Sequence, residues 1–311
     1  MSAFLGIDTS NYTTSAAVFC DENSKIFQAK KLLPVKEGER GIRQSDAVFH
    51  HTKAYAQLLS EVVEKSGSHI CAVGASVSPT TQSGSYMPCF LVGENAAKTV
   101  SAVCGIPFYA FSHQQGHIAA ALYSANKTDL LGQKFLAFHV SGGTTDLVLC
   151  EPSEDDIFKV IPVSSSSDLK AGQAVDRIGV KMGIPFPAGK GVELLALRSD
   201  KVFKNKIKLS DGKCSLSGLE NKCMKMLSDG ETQEDTAKYL LTYIADSVSA
   251  MVSHALKEFG DLPLVFAGGV MSDVIIKDIL LSRFDAYFAE PEFSCDNAAG
   301  ISYLTYLKSQ I

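Results

Sequence analysis

The feature that most limits what this chain can fold into is an internal echo. Phe4 to Cys20 reads FLGIDTSNYTTSAAVFC, and Phe135 to Cys150 reads FLAFHVSGGTTDLVLC. Each copy is an apolar strand, a short turn of Ser, Gly, Asn and Thr, and a second apolar strand ending in Cys. The offset is about 130 residues in a chain of 311. Solenoid units repeat every 20–50 or so residues, so a period this long points to a duplicated domain instead. Each copy reads as a tight hairpin with small and hydroxyl residues at its tip. Such tips present backbone N–H groups and hydroxyls, a surface suited to phosphate oxygens. Asp8 and Ser10 in the first tip, and Ser141, Gly142, Gly143 and Thr144 in the second, are therefore candidate ligand contacts. Two ordinary turns would give the same pattern.

Elements that follow each hairpin alternate between strand and helix, which predicts an α/β fold. Apolar residues at helical spacing mark 45–65 (Ala47, Val48, Tyr55, Leu58, Leu59, Val62), and 70–77 reads as a buried strand. Helices are expected over 93–104, 116–124, 172–182, 192–197, 235–258 and 297–307, and an apolar strand over 262–267. The expected lobes are 1–112 and 113–311, with the second copy beginning near 135. The most polar stretch, about 200–230, reads as an insertion or flap, and the last helix is expected to pack back on the N-terminal lobe.

An apolar fraction of 46% with 20% charged residues is too hydrophobic for a disordered chain. No apolar run is long enough to span a membrane. The start has neither the basic region of a signal peptide nor the Arg-rich pattern of a transit peptide, and the eight cysteines form no CxxC pair. They read as reduced, mostly buried thiols of a cytoplasmic protein. The net charge of −5 argues against a protein that alone grips nucleic acid tightly, since that affinity comes from neutralising phosphates. Lys201, Lys204, Lys206, Lys208 and Lys213 form one dense basic cluster, which a solvated face would also explain.

His113 and His117 lie four apart in SHQQGH, ahead of a good helix former. That spacing sets two imidazoles on one helix face, suited to a shared metal ion or to two surface histidines. A zinc peptidase of the HExxH type needs Glu after the first His as a base. Gln114 stands there, and a neutral amide cannot take a proton from water. Asp296, before the last helix, reads as a third ligand or as an N-cap. Gly268-Gly269-Val270-Met271-Ser272-Asp273 turns an apolar strand into a helix, where glycines admit a ligand close to the backbone and the helix N-terminus favours an anion. Asp176 lies in a helix followed by a Gly/Pro loop, and its carboxylate can accept from both hydroxyls of a ribose.

In chain order these elements resemble the tRNA threonylcarbamoyladenosine synthase family (TsaD), once called glycoprotease or O-sialoglycoprotein endopeptidase. The motifs are the N-terminal hairpin, HxxxH, SGGTT, AGQAVDRIGVKMGIPFPAGKGVE, CSLSGL, AGGVMSD and CDNAAG. The resemblance covers nearly the whole chain. It implies the actin/hexokinase/Hsp70 (ASKHA) fold, two duplicated α/β lobes around a nucleotide cleft. It also implies transfer of a threonylcarbamoyl group from its adenylate to the adenosine beside the tRNA anticodon. By the same resemblance His113, His117 and Asp296 would hold an iron or zinc ion. Ser141, Gly142 and Gly143 would sit by the ligand phosphate or carbamoyl, and Asp176, Gly189 and Asp273 would meet the adenosine. Implied partners are tRNA and the other proteins of the threonylcarbamoylation machinery.

The sequence also departs from the family pattern. Asn11-Tyr12-Thr13-Thr14 replaces CDET, Gln115 replaces the Glu of HxEGH, and SVSPTTQSGSYMPCFLVG replaces a segment close to AGPGLVGSL. Thr144 and Asp273 replace the usual His or Asn and Asn. These changes are those of a diverged paralogue. They leave open a nucleotide-binding or partner-binding module, or an ATP-dependent phosphotransferase of the same fold.

Overall fold

A computed structural model describes residues 2–10, 12–34, 42–294 and 298–311. The elements run β1 (Ser2–Asp8), β2 (Thr13–Cys20), β3 (Lys25–Leu32), α1 (Gln44–Ser66), β4 (His69–Ser78), α2 (Phe90–Cys104), β5 (Phe108–Ser112) and α3 (His113–Ser124). They continue with β6 (Phe135–Val140), β7 (Thr145–Pro152), β8 (Phe158–Ser165), α4 (Ala171–Lys181), α5 (Gly189–Ala196), α6 (Ser217–Ser228) and α7 (Gln233–Phe259). Last come β9 (Leu264–Ala267), α8 (Val274–Leu281), β10 (Ala286–Phe288), α9 (Pro291–Ser294) and α10 (Ala298–Ser309).

Two five-stranded sheets share one topology. The first has the order β3-β2-β1-β4-β5 and the second β8-β7-β6-β9-β10. In each, the echoed hairpin pairs antiparallel (β1 with β2, β6 with β7), and its first strand pairs parallel with a later strand (β4, β9). Hairpin register runs Ala3↔Cys20 to Asp8↔Ser15 in one copy and Phe135↔Cys150 to Val140↔Thr145 in the other. The echo in the sequence is thus an echo in the sheets.

By contacts the chain forms two compact units: Met1–Thr128 with Pro152–Lys159 and Glu292–Ile311, and Asp129–Glu151 with Val160–Pro291. The first unit's core joins Leu5 and Ile7 of β1, Val18 of β2 and Val73 of β4 to Ala54, Leu58 and Val62 of α1. Helix α10 belongs to this unit and lies on β1, β2, β4 and α3. Small residues permit that approach. A Cβ on Gly300 would stand 1.8 Å from the Gly116 carbonyl oxygen, so the two helix backbones touch directly.

The second unit is built around α7, whose Leu240, Leu241, Ile244, Val248, Met251 and Val252 are buried in its core. Within the polar stretch 200–230, α6 buries Leu219 and Cys223 in that same core. Among the described residues no cysteine is in a disulfide, Cys104 is exposed, and no helix is long and apolar enough to cross a membrane.

Candidate functional site

In the first unit the site begins where β1 ends. Asp8 is 2% exposed, yet three groups donate to its carboxylate. Ser10 Oγ reaches Oδ2 at 2.8 Å, Ser76 Oγ reaches Oδ1, and His113 Nδ1 lies 3.2 Å from Oδ2. Burial pushes this acid up. The His113 imidazole and the hydrogen bonds from His113, Ser76 and Ser10 outweigh it and hold Asp8 below the usual carboxylate range. Ser76 comes from β4, the parallel neighbour of β1.

Both histidines lie on α3, whose start is fixed by a capping box. Ser112 Oγ accepts from Gln115 N at 3.1 Å, and Gln115 Oε1 accepts from Ser112 N at 2.9 Å. Gln115 Nε2 also donates to Asp156 Oδ2 at 3.1 Å. An amide at this position therefore keeps the capping function that a Glu would have and adds a donor. His113 and His117 then converge, with their Nε2 atoms 3.1 Å apart. His51 of α1 is fully buried; its Nδ1 meets Thr14 Oγ1 at 2.8 Å while its Nε2 has no hydrogen-bond partner among the described residues. Burial, reinforced by His50 and opposed by Asp8, depresses its pKa to about 4.

The residues present fit a metal ion. Two imidazole nitrogens bound at ~2.0–2.1 Å to one tetrahedral ion stand roughly 3.3 Å apart, close to the observed separation. A carboxylate on Nδ1 is the support that fixes a ligating histidine's tautomer and leaves Nε2 available. An N–H···N hydrogen bond donated by His117 suits the same distance. Asp296 lies outside the described residues, among which no group of three or more His, Cys, Asp or Glu is placed to hold a metal ion.

In the second unit the SGGT tip joins β6 to β7. Ser141 N donates to Thr144 O at 2.9 Å, Gly143 N to Ser141 Oγ at 3.3 Å, and the Ser141 and Thr144 hydroxyls are 2.7 Å apart. Thr144 Oγ1 meets His139 Nδ1 at 3.2 Å. The N-terminus of α4 abuts the tip: Gly172 N donates to Ser141 O at 3.2 Å, and Ala171 N to Thr145 Oγ1 at 2.9 Å. A Cβ on Gly172 would meet Ser141 O at 2.5 Å, and one on Gly268 would meet Val140 O at 2.3 Å. Both glycines are required for the turn to be flanked so closely by backbone.

Asp176 Oδ1 accepts from Ala188 N at 2.8 Å, which joins α4 to the start of α5 beside Gly189. Burial raises the Asp176 pKa against that bond. Asp273 follows the 3-10 turn Gly269–Ser272 and caps α8, its Oδ1 accepting from Ile276 N at 3.0 Å. Burial, aided by Glu193, pushes it up to about 6 against the Ile276 and Ile275 N–H groups and Lys190. Asp168, not singled out from the sequence, holds the CSLSGL motif. It accepts from the hydroxyls of Ser215 and Ser217 at 2.6 Å each and from Leu216 N at 2.7 Å. Its tendency to rise on burial is outweighed by these bonds, which hold it well below the usual range.

Of the expected residues, Asp8, Ser10, His113 and His117 come together in the first unit. Ser141, Gly142, Gly143, Thr144 and Gly268 come together in the second, where Asp176, Gly189 and Asp273 lie around α5. Ser76, His51 and His139 are added to them. Ser76 sits in the SVS at the end of a strand expected from sequence, and His139 directly precedes the SGG tip. His51 looked like any other polar position on an amphipathic helix.

Two sheets of matching topology, each opened by a hairpin, define the ASKHA class, which includes actin, hexokinase and Hsp70. Solved structures agree. Component A of (R)-2-hydroxyglutaryl-CoA dehydratase from Acidaminococcus fermentans is similar over 100% of both chains, with TM-score 0.58 and 16% identity. A ROK family glucokinase from Streptomyces griseus is similar over 99% of this chain and 100% of its own, with TM-score 0.56 and 13% identity. At such identities the likeness is one of fold alone.

Sequence relatives narrow the class. The profile of the family described as tRNA N6-adenosine threonylcarbamoyltransferase (TsaD) matches residues 26–303, and the chain belongs to that family. A protein of that name from Kosmotoga olearia is 29% identical, with 98% of this chain and 93% of its own covered. One from Prochlorococcus marinus is 27% identical over 97% of this chain and 89% of its own.

Proposed function

We propose that this chain transfers a threonylcarbamoyl group from threonylcarbamoyl-adenylate to N6 of the adenosine beside the tRNA anticodon. Family membership across residues 26–303 carries the reading. In the step, the N6 amine attacks the carbonyl carbon and a C–N bond forms. The bond from that carbon to the phosphate oxygen breaks, AMP leaves with the oxygen, and the amine proton passes to solvent or to the departing phosphate.

The chain's own groups have distinct parts in this reading. The Gly142 N–H, at a turn whose neighbouring Ser141, Gly143, Ala171 and Gly172 N–H groups are engaged within the fold, and the dipole of the α4 N-terminus stabilise negative charge on the donor's phosphate or developing oxyanion. Thr144 and Ser141 supply hydroxyl donors at the same tip. Asp176, Gly189, Gly268, Gly269 and Asp273 bind the adenosine end. His113 and His117, with Asp296, hold one divalent ion, iron or zinc, and Asp8 with Ser10 orients His113. When bound, the ion supplies Lewis-acid polarisation of a carbonyl or phosphoryl oxygen. An aryl amine is a weak nucleophile, so orientation contributes more here than a strong base. The setting is cytoplasmic, the acceptor is tRNA, and protein partners of the same machinery assist.

The test is to incubate the chain, with and without those partners, with threonylcarbamoyl-adenylate and unmodified tRNA, and to analyse nucleosides by mass spectrometry. Threonylcarbamoyladenosine is the expected product, and His113→Ala is expected to lose metal and product together. Full transfer by metal-free His113→Ala would remove the metal from the reading. No product from a metal-replete wild-type chain with its partners would overturn the reaction itself and favour the altered paralogue.

A further inference from the structure

We infer that Lys204, Lys206 and Lys208 form a rigid phosphate-binding ridge on the second unit and that its occupant is the sugar–phosphate backbone of tRNA. The inference rests on the tRNA reading above and adds to it a surface outside the groups that handle the donor.

The ridge follows from alternation. Between α5 and α6 the chain runs without helix from 200 to 209, and exposure alternates along it. Lys204, Lys206 and Lys208 are exposed, while Phe203, Asn205, Ile207 and Leu209 are half-buried. Successive side chains of an extended segment point to opposite sides, so the three ammonium groups share one side, roughly 6–7 Å apart along the backbone.

The inward side is anchored at Phe203, Asn205 and Leu209, and the strap's start is held at Ser199. Ser199 Oγ donates to Asp235 Oδ1 at 2.6 Å. Phe203 packs edge-on against Tyr239 with ring centroids 5.3 Å apart. Asn205 Nδ2 donates to Asp246 Oδ2 at 3.0 Å, and Leu209 packs against the core. The segment then closes in a tight turn in which Ser210 and Lys213 exchange both backbone hydrogen bonds. Asp211 and Gly212 at its centre have φ of +50° and +75°. Ser164 Oγ donates to Gly212 O at 2.7 Å and ties the turn down. The lysines therefore stand on a pre-ordered strap.

Their charge is uncompensated locally. Lys201, at the start, is taken by Glu231 and Asp235, each at 2.8 Å. Among the described residues, Lys204, Lys206 and Lys208 have no carboxylate within ion-pair distance. From 198 to 213 the sequence holds six basic and two acidic residues, a net +4, in a chain whose total is −5. The rest of the chain is thus −9, and the strap is a local reversal of sign. Within 200–209 Val202 is the one exposed apolar residue, so the row of lysines lacks the aromatic, lysine-poor centre of a protein interface. Lysine ammonium groups act as mobile point charges toward phosphate, and phosphates are what a polyanionic RNA presents in a row.

The test compares the full-length wild-type chain with the Lys204→Gln/Lys206→Gln/Lys208→Gln variant. A Lys65→Gln/Lys98→Gln variant, altered on α1 and α2, is the control. Circular dichroism checks folding, and fluorescence anisotropy follows labelled unmodified tRNA from low to physiological salt. Each phosphate contact contributes about 0.7–0.9 to the slope of log K against log salt. The triple variant should flatten that slope by roughly 2–3 and weaken binding at least about tenfold at low salt, while the control matches wild type. In the transfer assay the triple variant should raise KM for tRNA and leave kcat at saturating tRNA unchanged.

Equal slope and affinity for wild type and triple variant would overturn the ridge, and so would no tRNA binding by wild type at the lowest salt. Loss of binding to polyglutamate without loss of tRNA binding would overturn it in favour of an acidic protein partner. The two readings separate cleanly. Product with an unchanged slope removes the ridge and keeps the transferase. A flattened slope, without product from wild type, keeps the ridge and removes the transferase.

Discussion

Asp273→Asn should stabilise the second unit, increasingly so as pH rises. Asp273 is 9% exposed and has Glu193 near it, and its pKa moves from 3.8 to about 6. The folded chain therefore holds this proton more tightly than the unfolded chain does. Between those two values the unfolded state releases a proton that the folded state keeps, so stability falls with rising pH and levels off above about pH 6. A factor of roughly a hundred in proton affinity corresponds to about 3 kcal/mol. Asn caps a helix as well as Asp does, so the α8 N-terminus is preserved while the buried charge is removed. The variant's advantage should be roughly 0.5 kcal/mol near pH 4 and about 3 kcal/mol above pH 7. The chain has no Trp, so denaturant unfolding followed by circular dichroism at several pH values is the suitable assay. An advantage that is constant with pH, or that grows toward acid, would refute the reasoning.

His51 should give the opposite slope in the first unit. Its pKa falls from 6.5 to about 4, so the unfolded chain takes up the proton first. Its contribution is complete above about pH 6.5 and declines by roughly 3 kcal/mol down to pH 4; in the same unfolding assay His51→Gln should remove that acid decline. Gly300→Ala places a Cβ against the Gly116 carbonyl. It should lower the melting temperature of the first unit, because overpacking of about 1–3 kcal/mol exceeds the ~1 kcal/mol gained in helix propensity.

Most of the fold was legible because it is written twice. The echo at Phe4 and Phe135 announced a duplication, and helical spacing marked α1 and α7 to within a residue or two. The candidate site was legible only where chemistry and short spacing coincide, as in His113 with His117, or in SGGT. Ser76 and His51 join Asp8 and Thr14 across 68 and 37 residues, and only the pairing of β1 with β4 and the packing of α1 bring them there. Gln115 shows a different lapse. Its SxxQ capping box with Ser112 is a local signal, yet from sequence the position reads only as a departure from HxEGH until the hydrogen bonds at the start of α3 are seen. Asp168 was invisible because its partners lie beyond the polar strap, 47 to 49 residues later.

The place of α10 in the first unit sets an order for folding on the ribosome. That unit's opening strands are made first, but the helix that covers β1, β2 and β4 is encoded after the whole second unit. At about 5–20 residues per second, residues 298–309 follow Thr128 only after roughly ten to thirty seconds of synthesis. Through that interval the face of β1 that α10 will bury stays uncovered while the second unit is still being made. The part translated first is thus completed last. A nascent chain stalled shortly before α10 should expose that apolar strand face to chaperones.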